Sequence, residues 1–244
     1  MRIPRVIIIL AALTWGCAND TNSADNNFDE ESLVDTYLAL PERTGSSLSG
    51  SELIEVLNPL GLREREERIL TEILSGNLPN FIRQLVPVSA MKTIGDSTYN
   101  ITYYVTVEYI LSGSDSDYFL IPMTPILAQE LADSLGMSLI TRKMVNDIWY
   151  AADVCLAPSP IPPSSAMVTV PVFADHNLAV RFQRIAVIGS YPLGALVAGH
   201  KKDVVLSNRI KTNQDKVVIY GWHELNGQPI QPLYAGHANW YADY

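Results

Sequence analysis

Cysteine and histidine are scarce in this sequence, with two of the first and four of the second among 244 residues. Two cysteines, Cys17 and Cys155, are too few for a disulfide framework. Long apolar runs are missing beyond Leu13, so no later segment reaches the roughly 20 apolar residues that a membrane-spanning helix needs. Positive charge is thin as well: 17 lysines and arginines face 26 acidic residues, for a net charge of −9. The densest basic spot is the pair Lys201-Lys202, so the chain's field repels phosphates and nucleic acid is excluded as a partner. G-x-S-x-G, Walker A and G-x-G-x-x-G are all absent, and no segment repeats.

What is present begins with a three-part N-terminus. Arg2 and Arg5 precede an apolar run from Val6 to Leu13, and Gly16-Cys17 then gives way to polar residues. This is the layout of a secretory signal. Gly16-Cys17 resembles the bacterial lipobox, which predicts a lipoprotein-type signal over residues 1–17, lipidation at Cys17 and anchoring of the chain to a membrane of the cell envelope. Removing that segment takes two arginines and no acidic residue, so the net charge moves from −9 to −11. Residues 18–28 are polar and have almost nothing to bury, which predicts a flexible tether.

The remainder reads as an α+β fold: N-terminal helices over residues 29–85, then mixed helices and antiparallel strands with hairpins over 86–244, packed as one unit. A short helix is expected from Asp29 to Leu38. Ser49 with Glu52 forms a capping box for a helix through Leu57, and Arg63–Ser75 carries apolar residues at helical spacing with pairs Arg63–Glu67 and Glu64–Arg68. Tyr99–Leu111 alternates with period two and predicts one long strand, returned by Tyr118–Pro122 after a Ser/Asp-rich turn. Thr124-Pro125 opens a helix that Gly136 closes, and Thr141 opens another. Residues 156–165, with four prolines, are expected to run as an extended loop or boundary. A third helix after Thr169 should turn Val172, His176, Ala179 and Val180 inward. Strands are expected at 193–198, 203–206, 216–224 and 228–233, the last two joined by a type I′ turn at Asn226-Gly227.

The chemistry concentrates at the end. His200, His223 and His237 all fall in the last 45 residues, each after a turn-like glycine, with Asp203, Tyr241 and Asp243 nearby. Imidazole ligates metals and titrates near neutral pH, so this group predicts either general acid–base catalysis by His223, His237, Asp243, Asp203 and Tyr241, or a zinc site on His200, His223 and His237. The plainer reading is that these are strand-end histidines bonded to backbone. His223-Glu224 begins like H-E-x-x-H, but a glycine ends it on a hairpin, so no zincin motif is present. Ser89-Ala90-Met91-Lys92 matches S-x-x-K without the helix that chemistry requires. His176 is expected in the core, Cys155 as a small buried hydrophobe, and Trp149, Trp222 and Trp240 as packing residues or a sugar-stacking surface.

Four segments carry a resemblance: Thr124-Pro125-x-x-Ala128-Gln129-x-x-Ala132-Asp133, Thr141-Arg142-Lys143-Met144-Val145, His200-Lys201-Lys202-Asp203 and Tyr241-Ala242-Asp243-Tyr244. Together they resemble a family of secreted bacterial proteins of uncharacterised activity, over roughly residues 86–244. In that family the last element continues past the tyrosine into Ser-His-Gly, so the resemblance implies an early stop here and a catalytic histidine left outside. It implies no mechanism. Two functions stay open: an envelope hydrolase acting on cell-wall or surface glycan or peptide, and a non-catalytic surface protein that binds glycan, peptide or a protein partner. They differ in whether the C-terminal side chains converge in one cleft.

Overall fold

A computed structural model describes residues 36–212, 216–237 and 242–243, with backbone alone for residues 212, 233–237 and 242–243. The architecture is α+β, with five α-helices and several small, mostly antiparallel sheets among these residues. Cys17, the tether and Tyr241 lie outside them, as does most of the expected 29–38 helix. Its last residues, Thr36–Leu38, are extended rather than helical. Tyr37 bridges Gln84, and Leu38 donates its N–H to Arg83 O at 2.8 Å. A strand partner thus satisfies the backbone bonds that a helix would have used.

Helix α1 (Gly50–Leu57) begins where its capping box requires. Ser49 Oγ accepts from the Glu52 N–H and Glu52 returns the bond to the Ser49 N–H at 2.8 Å. Helix α2 (Leu62–Leu74) carries the Arg63–Glu67 pair at 2.9 Å, but Arg68 turns forward to Glu72 rather than back to Glu64. The stretch expected as one long strand is two. Strands β1 (Leu85–Ile94) and β2 (Ser97–Thr106) form a hairpin, and β3 (Leu111–Gly113) pairs separately with β4 (Tyr118–Leu120). The β1–β2 turn is Gly95-Asp96, with the glycine at φ +59°, a two-residue connection that matches the strand twist.

Strand β5 (Pro122–Met123) leads into helix α3 (Pro125–Leu135), capped by Thr124 and closed by Gly136 at φ +66°. Helix α4 (Arg142–Ala151) follows the Thr141 cap. Strand β6 (Val154–Cys155) runs parallel to β7 (Val197–Ala198), across helix α5 (Val170–Val187). Residues 156–165 contain no regular element, consistent with four prolines that remove backbone donors. On α5, His176 and Val180 are buried as expected, but Ala179 is exposed and Phe173, Asn177 and Arg184 complete the inner face. No helix among the described residues is long and apolar enough to cross a membrane.

The C-terminal sheet has β9 (Lys216–His223) between β8 (Lys202–Val204) and β10 (Pro229–His237). The β9–β10 turn differs from the expected type. Gly227 takes φ +86° while Asn226 keeps a negative φ, and Gly227 N–H donates to Glu224 O at 2.7 Å. This is a type I turn followed by a left-handed glycine rather than a type I′ turn. Strand β11 (Ala242–Asp243) pairs with β5 and lies beside β8.

One core joins the helical N-terminal part to the rest. Leu53, Leu57, Ile69 and Ile73 pack with Phe119, Leu127, Phe173 and Val197. A second cluster fastens the base of the hairpin, through Val88, Tyr103 and Val105, to Met144 and Ile148 of α4. Between these clusters and the C-terminal sheet lies the cavity described next.

Candidate functional site

A partly enclosed cavity of about 350 Å³ opens between α3, α4, β2 and β8. Its wall is mostly aliphatic, from Leu131 and Leu135 of α3, Leu139 and Ile140 of the connection, and Met144, Val145 and Ile148 of α4. At one end the lining turns polar: Glu108, Tyr109, Asp203, His223 and the indole of Trp149.

Local backbone geometry delivers these groups. Gly199 at φ +99° turns the chain from β7 into the His200-Lys201 corner, and a Cβ there would meet Leu156 O at 2.8 Å. On the facing strand, Gly221 takes φ +133° and Trp222 takes φ +52°, the one non-glycine positive φ among the described residues. Trp222 N–H donates to Lys201 O at 2.7 Å, so the corner and the distorted strand end hold each other. A bulky residue in this conformation costs of order 1–2 kcal/mol, which the surrounding contacts must offset. Among those contacts, the Lys202 ammonium sits 4.5 Å from the Trp222 ring centre.

The polar side chains form three buried groups. His200 is fully buried, its Nε2 lies 3.0 Å from Glu108 Oε1, and the edge of Tyr109 meets its ring. Lys201 donates from Nζ to His176 Nδ1 at 3.1 Å, which makes Nδ1 the lone-pair nitrogen of that ring. The Tyr109 hydroxyl is 3.4 Å from both Lys201 O and Asp203 Oδ2, too long to grip either firmly. Asp203 therefore has little to set against the cost of burying its charge, and burial pushes its pKa up to about 8.

His223 ends β9. Its Nε2 bonds Asn146 Oδ1 at 3.0 Å, the same oxygen that accepts from the Tyr220 hydroxyl at 2.9 Å, and its ring stacks against Trp149. Burial lowers the His223 pKa, so its neutral form prevails at pH 7. Asp203 is thus held protonated and His223 neutral, both on the wall of one cavity.

The expected C-terminal group is divided by this geometry. Asp203, His200 and His223 come to the same buried region. His237 does not: its backbone pairs with Lys216, at the far end of β9 from His223, seven residues along the strand or roughly 20 Å away. A zinc site on His200, His223 and His237 is therefore corrected, since two of its ligands stand at opposite ends of one hairpin. The same separation takes His237 out of a shared acid–base group with His223. Among the described residues no three His, Cys, Asp or Glu side chains gather as metal ligands. The backbone of Asp243 sits on β11 opposite Pro122 and beside the strand that carries Asp203. Tyr241 lies outside the described residues. Cys155 is half-buried and its thiol is pushed up by burial, an inert arrangement. Ser89 bonds Thr102 across the hairpin at 2.9 Å rather than meeting a lysine.

Sequence reasoning missed Glu108, Tyr109 and Asn146. Glu108 carried a signal, being the one charge in the apolar run Tyr99–Leu111. Asn146 carried none, because its role comes from α4 packing on β9. No protein-family model, curated protein or solved structure matches the chain.

Proposed function

We propose that this protein is an envelope hydrolase in which Asp203 is the general acid and His223 the general base. The observation that carries the reading is the opposed protonation of two groups on one cavity wall, a carboxylic acid with pKa near 8 and a neutral imidazole. Environments that push two titratable groups apart in this way are how one site supplies both an acid and a base near pH 7. His223 takes a proton from water at Nδ1, the resulting hydroxide adds to the substrate carbonyl, and Asp203 protonates the leaving group. Transfer of the proton from His223 back to Asp203 restores the resting state. The substrate is a cell-wall or surface peptide, or an acyl substituent on a glycan, with an apolar group that fits the aliphatic wall. Cys17 lipidation places the domain at the envelope surface.

The binding reading is favoured by a different observation: His200 is set against Glu108 at 3.0 Å and Lys201 against His176 at 3.1 Å, so these buried groups face one another. In that case the cavity holds a ligand and transforms nothing.

The test is turnover of ester and amide substrates by the 244-residue chain beside Asp203→Asn and His223→Gln. Each variant should lose about 100-fold or more in kcat, as loss of a positioned acid or base does. Turnover that both variants retain would overturn the acid–base assignment. Saturable binding with no turnover would leave the binding reading. Anchoring is tested separately by incorporation of labelled fatty acid into the chain and its loss in Cys17→Ala.

A further inference from the structure

The indole nitrogen of Trp149 is buried and meets no hydrogen-bond acceptor among the described residues. Buried N–H groups are rarely left so, because the desolvation cost goes uncompensated. Trp149 lies on the wall of the cavity, stacked on His223 with ring centres 6.0 Å apart and 28° between planes. Two glycines fix the indole. A Cβ at Gly227 would come 3.2 Å from the six-membered ring, and a Cβ at Gly199 would come 3.4 Å from Nε1. Both positions have positive φ, where a side chain would be strained, so the glycines hold the indole face and its buried N–H against backbone on the cavity wall.

The rest of the lining narrows what approaches. The far wall is aliphatic, through Leu131, Leu135, Ile140, Met144 and Ile148, and no lysine or arginine lines the cavity. A carboxylate or phosphate would enter beside Asp203 and Glu108 without a counter-charge. An uncharged group with one strong acceptor and an apolar tail meets both requirements.

We propose that the cavity binds a neutral acyl amide or ester, with its carbonyl oxygen accepting from Trp149 Nε1 and its alkyl chain along α3 and α4. This rests on the reading of the cavity as the substrate site, and it makes Trp149 the residue that positions the carbonyl beside His223.

The 244-residue chain is loaded with diphenylhexatriene, a neutral hydrocarbon dye with no hydrogen-bond acceptor, and titrated with octanamide or octanoate. Octanamide should displace the dye at least ten-fold more readily than octanoate. Trp149→Phe keeps the ring and removes the N–H, and should weaken octanamide about ten-fold, the worth of one buried hydrogen bond, while changing dye affinity less than two-fold. Ile148→Trp fills the cavity and should abolish both, with circular dichroism confirming that each variant is folded. Equal affinity for octanoate, or octanamide binding indifferent to Trp149→Phe, overturns the inference. Octanamide binding as described, without turnover of 4-nitrophenyl octanoate, sustains it and sinks the hydrolase reading. Turnover of short-chain esters that Ile148→Trp leaves intact does the reverse.

Discussion

Asn146 Oδ1 accepts a hydrogen bond from His223 Nε2 at 3.0 Å. Because that oxygen can only accept, the bond places the His223 proton on Nε2 and leaves Nδ1 with the lone pair. Burial holds the His223 pKa below its ordinary value, so the base stays free as the pH falls below 6.5. Asn146→Asp sets a carboxylate against the same nitrogen and favours the imidazolium. The acidic limb of the kcat/KM–pH profile should therefore move up by about one unit or more. An unmoved limb would separate His223 from the chemistry.

Asp203 links stability to pH in the opposite sense to a surface carboxylate. Unfolded, it titrates near 3.8, and folded near 8. Between these values the folded chain holds a proton that the unfolded chain releases, so this group's contribution falls as pH rises from about 4 to 8 and is fully lost above that. His223 acts on the other flank: its lowered pKa makes the folded state lose ground as pH falls through the imidazole range. Asp203→Asn mimics the protonated acid and can still accept from Tyr109. Its Tm should exceed that of the parent by an amount that grows from pH 4 to pH 9. A difference flat across that range would mean Asp203 is ionised in the fold.

How much was legible follows from where the determining contacts lie. Helices α1, α3 and α4 start at Ser49, Thr124 and Thr141, as their sequences indicate, because a cap is a local bond between residues three apart. The β1 strand escaped notice because Leu85–Ile94 shows little alternation, and its order comes from pairing with β2 rather than from its own pattern. At the candidate site, clustering of histidines along the chain is only partly matched by their placement in space. A hairpin carries residues that are close in sequence to opposite ends, as with His223 and His237. Residues from distant segments, Glu108, Asn146 and His176, supplied the partners instead.

Arg83 is fully buried and donates to three backbone carbonyls, of Leu40, Pro41 and Gly76, at 3.3, 2.9 and 2.7 Å. It clamps the incoming segment against the end of α2. Gly76 permits this closeness, since a Cβ there would fall 1.9 Å from Pro41 O at φ +88°. Arg83→Met keeps most of the volume and strands those carbonyls in the interior. The expected loss is about 3–5 kcal/mol in urea unfolding. A loss under about 1 kcal/mol would mean that water reaches these carbonyls and that the clamp does not hold the segment.

Thr124 and Thr141 cap successive helices, but of the two side chains Thr124 is the one bonded to another helix. Glu66 of α2 accepts from the Thr124 N–H at 2.7 Å and from its hydroxyl at 3.1 Å. The Thr141 hydroxyl accepts from Met144 N–H of its own helix at 3.3 Å, and the tie to Leu206 is made by backbone. Thr141→Ala should cost about 1 kcal/mol, the ordinary value of a cap. Thr124→Ala should cost more, because the half-buried Glu66 carboxylate also loses a donor. A double-mutant cycle of Thr124→Ala with Glu66→Gln isolates that excess and should give a coupling of about 1 kcal/mol, whereas Thr141→Ala with Glu66→Gln should be additive within about 0.5 kcal/mol. Equal behaviour of the two pairs would show that α2 and α3 are joined by apolar packing alone, with Glu66 a bystander at the cap.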